Sequence, residues 1–274
     1  MTESDIPPAA TVSAEAFELD LGKPGARHIW EARIRHSLRT DPEGSFVSER
    51  DGIIAGVAQA VVRERLWILS LLTVSPTRSR GGEGRALVRA ALGYERDTDA
   101  GVIIASNDSR ALRLYGTSGF RLEPSFQVTG SVDATLIPEL HPDITEVQPL
   151  ELERLAPISR AVRGAAHTLD LGVALMRGAS IYCLGDRGFV VTTPGRGVWA
   201  LAARDEGAAQ ALLWYGLHQL RDERKIEIGF VTGRQQWAID VFLAARLPFR
   251  SYGAVATHGN LGPLHPYIPS PPFA

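Results

Sequence analysis

Apolar residues recur along the chain at two spacings, one typical of helices and one typical of strands. Helical spacing over residues 11–19 and 28–38 predicts two short amphipathic helices. After a turn at residues 41–44, β-type runs predict an antiparallel meander of three strands. These strands cover 45–49, 53–63 and 66–74.

A glycine-rich turn at residues 81–84 opens the next predicted helix, which runs to Leu92. The pattern then predicts a buried strand at 101–105, a helix at 108–117 and a strand at 126–129. The first half is therefore α/β.

A second α/β pattern follows residues 136–143, which carry two prolines and no period. We place a domain joint there, between domains 1–135 and 144–260. The predicted helices cover 150–163, 205–220 and 235–246, and the predicted strands cover 180–184, 189–193, 198–203 and 226–231. Residues 261–274 form a proline-rich tail whose aromatics Tyr267 and Phe273 favour packing against the body, with a frayed terminus as the alternative.

The two halves align with a constant shift of 127 residues. This shift sets Val74 on Leu201 and Phe120 on Leu247. It needs no gap between the glycine turn and the last helix. Chance matching in alanine-rich helices can produce part of this agreement, but a duplicated fold is the better interpretation.

Composition narrows the function classes. The chain has 274 residues, a formal net charge of −2 and one cysteine. Charge gives no reason to expect nucleic acid or an anionic membrane as partner, and no apolar run approaches the roughly 20 residues of a membrane span. The acidic N-terminus and lone Cys183 predict a cytoplasmic protein without internal disulfides. The histidines are scattered and lack the spacing of metal ligands, so we expect no metal site.

The glycine turn is a candidate anion site. Such a turn directs unpaired backbone N–H groups and a helix dipole at one point, and glycines let a diphosphate come close. Arg78, Arg80 and Arg85 add positive charge. A flexible surface turn is the alternative.

A second segment of interest follows the 101–105 strand. Taken alone, Asn107 and Asp108 are candidates for the helix N-cap, Ala111 lies on a packing face, and Tyr115 is a half-buried aromatic.

Together, these two segments resemble the GNAT superfamily of acetyl-CoA-dependent N-acyltransferases. The matching positions are Val74, Pro76, Gly82 and Gly84 in the first motif and Asn107, Ala111, Leu114, Tyr115, Gly119 and Phe120 in the second. Ser79 departs, because the family has Gln or Arg there, and the neighbouring Arg80 is the residue that would replace part of that phosphate contact. The family also begins with a strand before its first helix, for which Met1 to Ala10 leaves little room.

The resemblance implies an α/β (α+β) fold of two GNAT-like domains, each a mixed, mostly antiparallel sheet flanked by helices. It also implies acetyl-CoA as acyl donor. Backbone amides of the glycine turn would hold the diphosphate, and the strand edge before it would pair with the pantetheine amides. Tyr115 would act as general acid to the CoA thiolate. The implied cofactor-binding residues are Leu72, Thr73, Val74, Ser79, Arg80, Gly81, Gly82, Glu83, Gly84, Arg85, Asn107, Ala111 and Tyr115.

No motif residue fixes the general base. Glu64, near the start of the central strand, and Glu31, on the second helix, are candidates acting through a water molecule. Both are also ordinary surface carboxylates, and an amine of low pKa needs only water.

The second half lacks the same chemistry under the 127-residue shift. Gly82 falls on Ala209, Ser79 on Glu206 and Tyr115 on Phe242, so the second domain is interpreted as degenerate and unable to bind CoA. Its candidate roles are closing the substrate side of the first domain, forming a homodimer interface, or structural support.

The expected reaction is acetylation of a primary amine on a small molecule. A protein lysine or N-terminus is the second choice of acceptor, and succinyl or propionyl is an alternative acyl group. A CoA-binding sensor or scaffold without turnover is the competing class of function.

Overall fold

The computed structural model describes residues 1–77, 81–94 and 97–274. In chain order its α-helices are α1 Ile6–Phe17, α2 Ala26–Thr40, α3 Glu83–Leu92, α4 Ser109–Thr117, α5 Ala156–Arg163, α6 Thr168–Met176, α7 Glu206–Gln219 and α8 Gln236–Ala244. The strands are β1 Ser45–Arg50, β2 Ile53–Arg63, β3 Leu66–Val74, β4 Ala100–Ala105, β5 Arg121–Gly130, β6 Ile144–Glu146, β7 Ser180–Leu184, β8 Gly188–Thr193, β9 Gly197–Ala203, β10 Ile226–Thr232, β11 Phe249–Gly259 and β12 Tyr267–Ile268.

The chain divides into two compact units. One contains Met1–Ile103 with Phe273, and the other contains Ile104–Pro272 with Ala274. This division of contacts falls earlier in the chain than the domain joint predicted at residues 136–143. The ranges 1–135 and 144–260 remain a prediction about the two sequence repeats.

The first unit is built on a mixed sheet. Strands β1, β2 and β3 form the predicted antiparallel meander, and β4 runs parallel to β3. The helix α1 starts with prolines in its first turn, where their missing N–H groups cost nothing, and it packs on β2 and β3. The core includes Ile6, Trp30, Ile34, Val57 and Leu71.

The second unit contains strands from both halves of the sequence. Strand β5 lies between β11 and β10 and is antiparallel to both. Strands β12, β9, β8, β7 and β6 follow one another in an antiparallel order. The hydrophobic core of this unit includes Leu212, Leu213, Trp237 and Phe242.

The duplicated pattern is present in the order of elements. From α1 to β5 the order is two helices, three strands, then helix, strand, helix and strand, and α5 to β11 repeats it. Helices α4 and α8 differ by the predicted shift of 127 residues at both ends. Strand β6 precedes α5, whereas residues 1–5, all described, contain only the 3-10 helix Glu3–Asp5 before α1.

The ungapped shift fails at the connection between the third strand and its helix. That connection runs from Ser75 to Gly82 in the first repeat but consists of Arg204 and Asp205 in the second. The structural counterpart of the cap residue Gly82 is therefore Asp205 and not Ala209.

Other elements differ from the prediction in type, in extent or in having been missed. Residues 149–155 are a 3-10 helix ahead of α5, and β5 starts at Arg121 despite Pro124. The sequence pattern did not predict β6, α6, β11 or β12. Within the described part of the chain, no helix is long and apolar enough to cross a bilayer.

Candidate active site

Strand β3 carries a bulge that separates it from β4. Opposite β2, Leu69 pairs with Ala60 and Leu71 with Gln59, so that Ser70 is an extra residue without a partner. Strand β4 pairs with β3 only from Leu66 to Leu69. On the β4 side, the edge from Leu71 to Val74 has no strand partner among the described residues. Unpaired backbone groups on this edge are available to an extended ligand with amides.

The glycine turn meets the requirements of an anion site at a helix start. Gly81 and Gly82 have φ of 92° and 97°, a conformation that L side chains rarely adopt. A Cβ added to either would meet no atom of the described residues within 4 Å, which leaves room for a ligand beside the turn. Helix α3 begins directly after Gly82 and leaves its first N–H groups without helical acceptors. A diphosphate therefore fits this position.

Of the side chains predicted for the turn, the structure describes those of Glu83 and Arg85 only. Glu83 is half-buried and its Oε1 lies 3.0 Å from an Arg50 guanidinium nitrogen, which offsets its negative charge near the anion site. Arg85 is exposed in the first turn of α3. Ser79 and Arg80, together with Arg78, lie outside the described residues.

The second motif begins with a helix cap. The Asp108 carboxylate accepts hydrogen bonds from the backbone N–H groups of Arg110 and Ala111 at 2.8 and 3.2 Å. The Arg110 side chain and these N–H groups lower the pKa of Asp108 to about 2. Asn107 is therefore not the cap, and the alternative that it caps the helix is wrong. Its side-chain oxygen instead accepts a hydrogen bond from the Gly253 N–H in β11.

Tyr115 lies on the packed face of α4. It is 5% exposed, and burial, followed by the negative charge of Asp108, raises the pKa of its phenol well above the ordinary value. Tyr115 therefore keeps its proton at neutral pH. Ala111, one turn earlier on the same helix, is half-buried.

The two candidate bases differ in their surroundings. Glu31 in α2 is 18% exposed, and its carboxylate lies 3.7 Å from Arg27. Glu64 occupies the exposed turn between β2 and β3. At ~3.3 Å per strand residue, Glu64 is about 26 Å along the strand from Leu72. Of the two, Glu31 has the more enclosed position, and Glu64 lies at the wrong end of β3 for the expected thioester.

Sequence reasoning missed two polar contacts around β3. The Arg33 guanidinium in α2, stacked 4.5 Å above the Trp30 ring, donates a hydrogen bond to the Ser70 carbonyl at the bulge. The Ser75 hydroxyl, just past the end of β3, donates to the Glu15 carboxylate at 3.2 Å. Helix α2 contains four arginines, so no local sequence signal distinguished Arg33, and the second contact had no signal either.

The counterpart of the glycine turn in the second unit is occupied by a carboxylate. Asp205 caps α7 by accepting a hydrogen bond from the Ala208 N–H at 2.8 Å, and it pairs with Arg187 at 2.8 Å. A phosphate at this helix start would meet a negative charge at contact distance. Phe242, the counterpart of Tyr115, is fully buried and has no proton to donate.

A family model matches the first of the two repeats. It describes an acetyltransferase (GNAT) domain and covers residues 14–134, which include both motifs and strands β1 to β5. Residues 14–134 belong to the GNAT acetyltransferase family. Acetyl transfer is thereby supported as the activity of this GNAT domain.

Solved structures extend the GNAT likeness to nearly the whole chain. A protein of Pyrococcus horikoshii proposed to be an acetyltransferase matches 100% of this chain and 92% of its own, with 18% identity and a TM-score of 0.79. A GCN5-related N-acetyltransferase from Sphaerobacter thermophilus matches 94% of each chain, with 18% identity and a TM-score of 0.60. No curated protein matches the sequence.

A third structure bears on the duplication. It is a tandem GNAT protein from the clavulanic acid biosynthesis pathway, with 16% identity, a TM-score of 0.56, and 94% of this chain and 95% of that chain covered. At these identities the likeness concerns the fold alone. The predicted fold class is confirmed: α/β, with two GNAT-like domains whose sheets are flanked by helices.

Proposed function

We propose that the GNAT domain is an acetyl-CoA-dependent N-acetyltransferase that acetylates a primary amine on a small molecule. The observation that carries this proposal is the edge of Leu71–Val74, which has no strand partner among the described residues, together with the turn at Gly81 and Gly82, where an added Cβ would meet no described atom. In CoA the pantetheine arm carries amides that can pair with a strand edge, and it is joined to a diphosphate that suits a helix start.

The proposed reaction is direct transfer. The neutral amine attacks the thioester carbonyl carbon, whose oxygen is stabilised by backbone N–H donation from the edge of β3. The tetrahedral intermediate collapses, the carbon–sulfur bond breaks, and the electron pair stays on sulfur. Tyr115 then donates its proton to the thiolate, giving CoA and the acetylated amine. The phenol remains protonated at neutral pH, so its proton is present for this transfer.

The amine needs a proton acceptor. We favour Glu31, through a water molecule, because its carboxylate is largely enclosed on α2 and its nearest described cation, Arg27, is 3.7 Å away. Glu64 is not favoured because it lies in the exposed turn at the far end of β3.

Calorimetric titration with acetyl-CoA tests the binding step. We expect one site per chain in the wild type and none in Gly82→Glu, whose carboxylate would occupy the anion position. The matched substitution in the second repeat, Asp205→Gly, is expected to leave one site. Absence of binding to the wild type would refute the proposal.

Release of free CoA thiol in the presence of a panel of small amines tests turnover. Acetyl-CoA binding without amine-dependent release for any amine, protein lysines and N-termini included, would instead favour the sensor or scaffold. A protein acceptor that is much faster than every small amine would overturn the small-molecule part of the proposal.

A further inference from the structure

The second repeat has the same strand bulge as the GNAT domain. Between β8 and β9, Val191 pairs with Ala200 and Thr192 with Val198, so that Trp199 is the extra residue. Aligning this bulge with the one at Ser70 sets Leu72 on Leu201. The part of β9 from Leu201 to Ala203 is thus the counterpart of the β3 edge to which we assign the pantetheine amides.

In the second repeat a strand from the chain's own C-terminal segment covers that edge. Strand β12 pairs antiparallel with β9, Tyr267 opposite Ala202 and Ile268 opposite Leu201. Just before it, the Ala203 N–H donates to the Pro266 carbonyl at 3.1 Å. Tyr267 and Ile268 are 2% and 1% exposed, so the pairing is a buried part of the unit.

The same segment is held from the side of α8. Gln235, the residue before α8, donates through Nε2 to the Leu264 carbonyl at 2.6 Å and accepts through Oε1 from the Tyr267 N–H at 3.1 Å. The same Oε1 also accepts from the Trp237 indole N–H at 2.9 Å. Gln235 is buried, and this network therefore fixes the path of residues 264–267.

The segment also reaches the start of α7. His265 Nε2 lies 3.1 Å from the Glu206 carboxylate in the first turn of that helix. In the GNAT domain the corresponding helix start is the proposed diphosphate position. Residues 264–268 therefore contact a strand edge, a helix start and the residue before the next helix, and the first two are counterparts of residues assigned to the acyl-CoA site.

We propose that the groove formed by the edge of β9, the start of α7 at Glu206 and Gln235 is a peptide groove, and that its occupant is the chain's own segment Leu264 to Ile268. The segment replaces the pantetheine arm with a peptide backbone that has the same ability to pair with a strand edge. The groove is closed to acyl-CoA by this occupant as well as by the Asp205 carboxylate. The identity of the groove rests on the proposed function, whereas the pairing of the segment does not.

Amide hydrogen exchange on the full-length protein tests the proposal, with and without saturating acetyl-CoA. In the wild type we expect slow exchange at residues 199–203 and in the segment 264–268, where every residue except Pro266 carries an amide hydrogen. Gln235→Met should accelerate exchange in both segments together by about tenfold, because it removes the hydrogen bonds that hold the segment. Gln127→Met is the matched control, since Gln127 is equally buried in β5 of the same unit and bonds to Arg250. The control should leave both segments unchanged.

Acetyl-CoA should alter exchange at residues 81–86 and leave residues 199–203 and 264–268 unchanged. Faster exchange at 264–268 on adding acetyl-CoA would overturn the proposal, because the cofactor would then displace the segment. Free exchange at 264–268 in the wild type, or acceleration of only one segment in Gln235→Met, would also overturn it. If acetyl-CoA changes exchange nowhere, the proposed function fails, and the coupled behaviour of the two segments still decides whether the segment occupies the groove.

Discussion

The buried guanidinium of Arg33 donates a hydrogen bond to the carbonyl oxygen of Ser70, the one residue of β3 that has no partner in β2. A bulge leaves a backbone carbonyl outside the ladder, and a buried carbonyl without a partner is costly. Arg33 therefore links helix α2 to the place where β3 and β4 stop pairing.

Removing this donor should destabilise the protein. We expect Arg33→Met to lower the free energy of unfolding by about 2 kcal/mol, because a buried carbonyl loses a charged partner. Urea denaturation measures the change. Arg39→Met is the control on the same helix, since Arg39 is 70% exposed, and it should change stability by less than about 0.5 kcal/mol. Equal stabilities of the two variants would show that the bulge does not need Arg33.

Substitution by alanine should have opposite effects on stability at Gly82 and Gly84. Gly82→Ala places a side chain in the left-handed conformation and should cost about 1 kcal/mol of stability. Gly84→Ala lies within α3, where its Cβ would sit 3.7 Å from the Val74 side chain without strain. It should stabilise the fold by up to about 1 kcal/mol through helix propensity. Thermal denaturation of both variants checks the difference, and a stable Gly82→Ala would contradict it.

Tyr115→Phe should separate catalysis from binding. We expect kcat to fall by about 100-fold, the size of a lost general acid, with little change in the dissociation constant for acetyl-CoA. Steady-state rates of CoA release and calorimetry supply the two values. An unchanged kcat would remove Tyr115 from the mechanism.

The raised pKa of Tyr115 also predicts a stability change at alkaline pH. In the unfolded chain a phenol loses its proton near pH 10, whereas the folded protein retains it, so the stabilising contribution is complete below about pH 10 and is lost above it. Denaturation from about pH 9 to about pH 11 should show falling stability, and Tyr115→Phe should reduce the slope by up to about 1.4 kcal/mol per pH unit. Tyr267→Phe should act similarly, because burial raises that pKa too. Identical slopes in the wild type and both variants would contradict the prediction.

A comparison of two carboxylates tests the base. Glu31→Gln should lower kcat/KM by about 100-fold, whereas Glu64→Gln should leave it unchanged. If neither variant lowers kcat/KM, the amine loses its proton to water alone.

Local sequence patterns predicted the elements of the first repeat well, because each of its strands and helices has a clear hydrophobic period. The bounds of β2 and β3 agree with the prediction at both ends. Strand β12 was missed because only two residues pair and prolines flank them, so its formation depends on β9 and Gln235, which are distant in sequence.

Only the parts of the candidate site that lie within a local sequence motif could be predicted. The glycine turn and the Asp108 cap were predictable because positive φ favours glycine and helix N-caps favour aspartate. The contacts of Asn107 with Gly253 and of Arg33 with Ser70 join residues far apart along the chain, and no local pattern contains them. The constant shift of 127 residues misplaced the cap of α7, because an ungapped alignment cannot represent a shortened connection.

The position of β5 has a consequence for how this protein evolves and can be divided. Strand β5 belongs to the matched GNAT range, yet both of its neighbours, β10 and β11, come from the second repeat. A gene cut between the repeats would produce a first half with two bare strand edges on β5 and a second half missing the strand between β10 and β11. With this strand arrangement, losing or exchanging one repeat alone would leave strand edges of the other repeat unpaired.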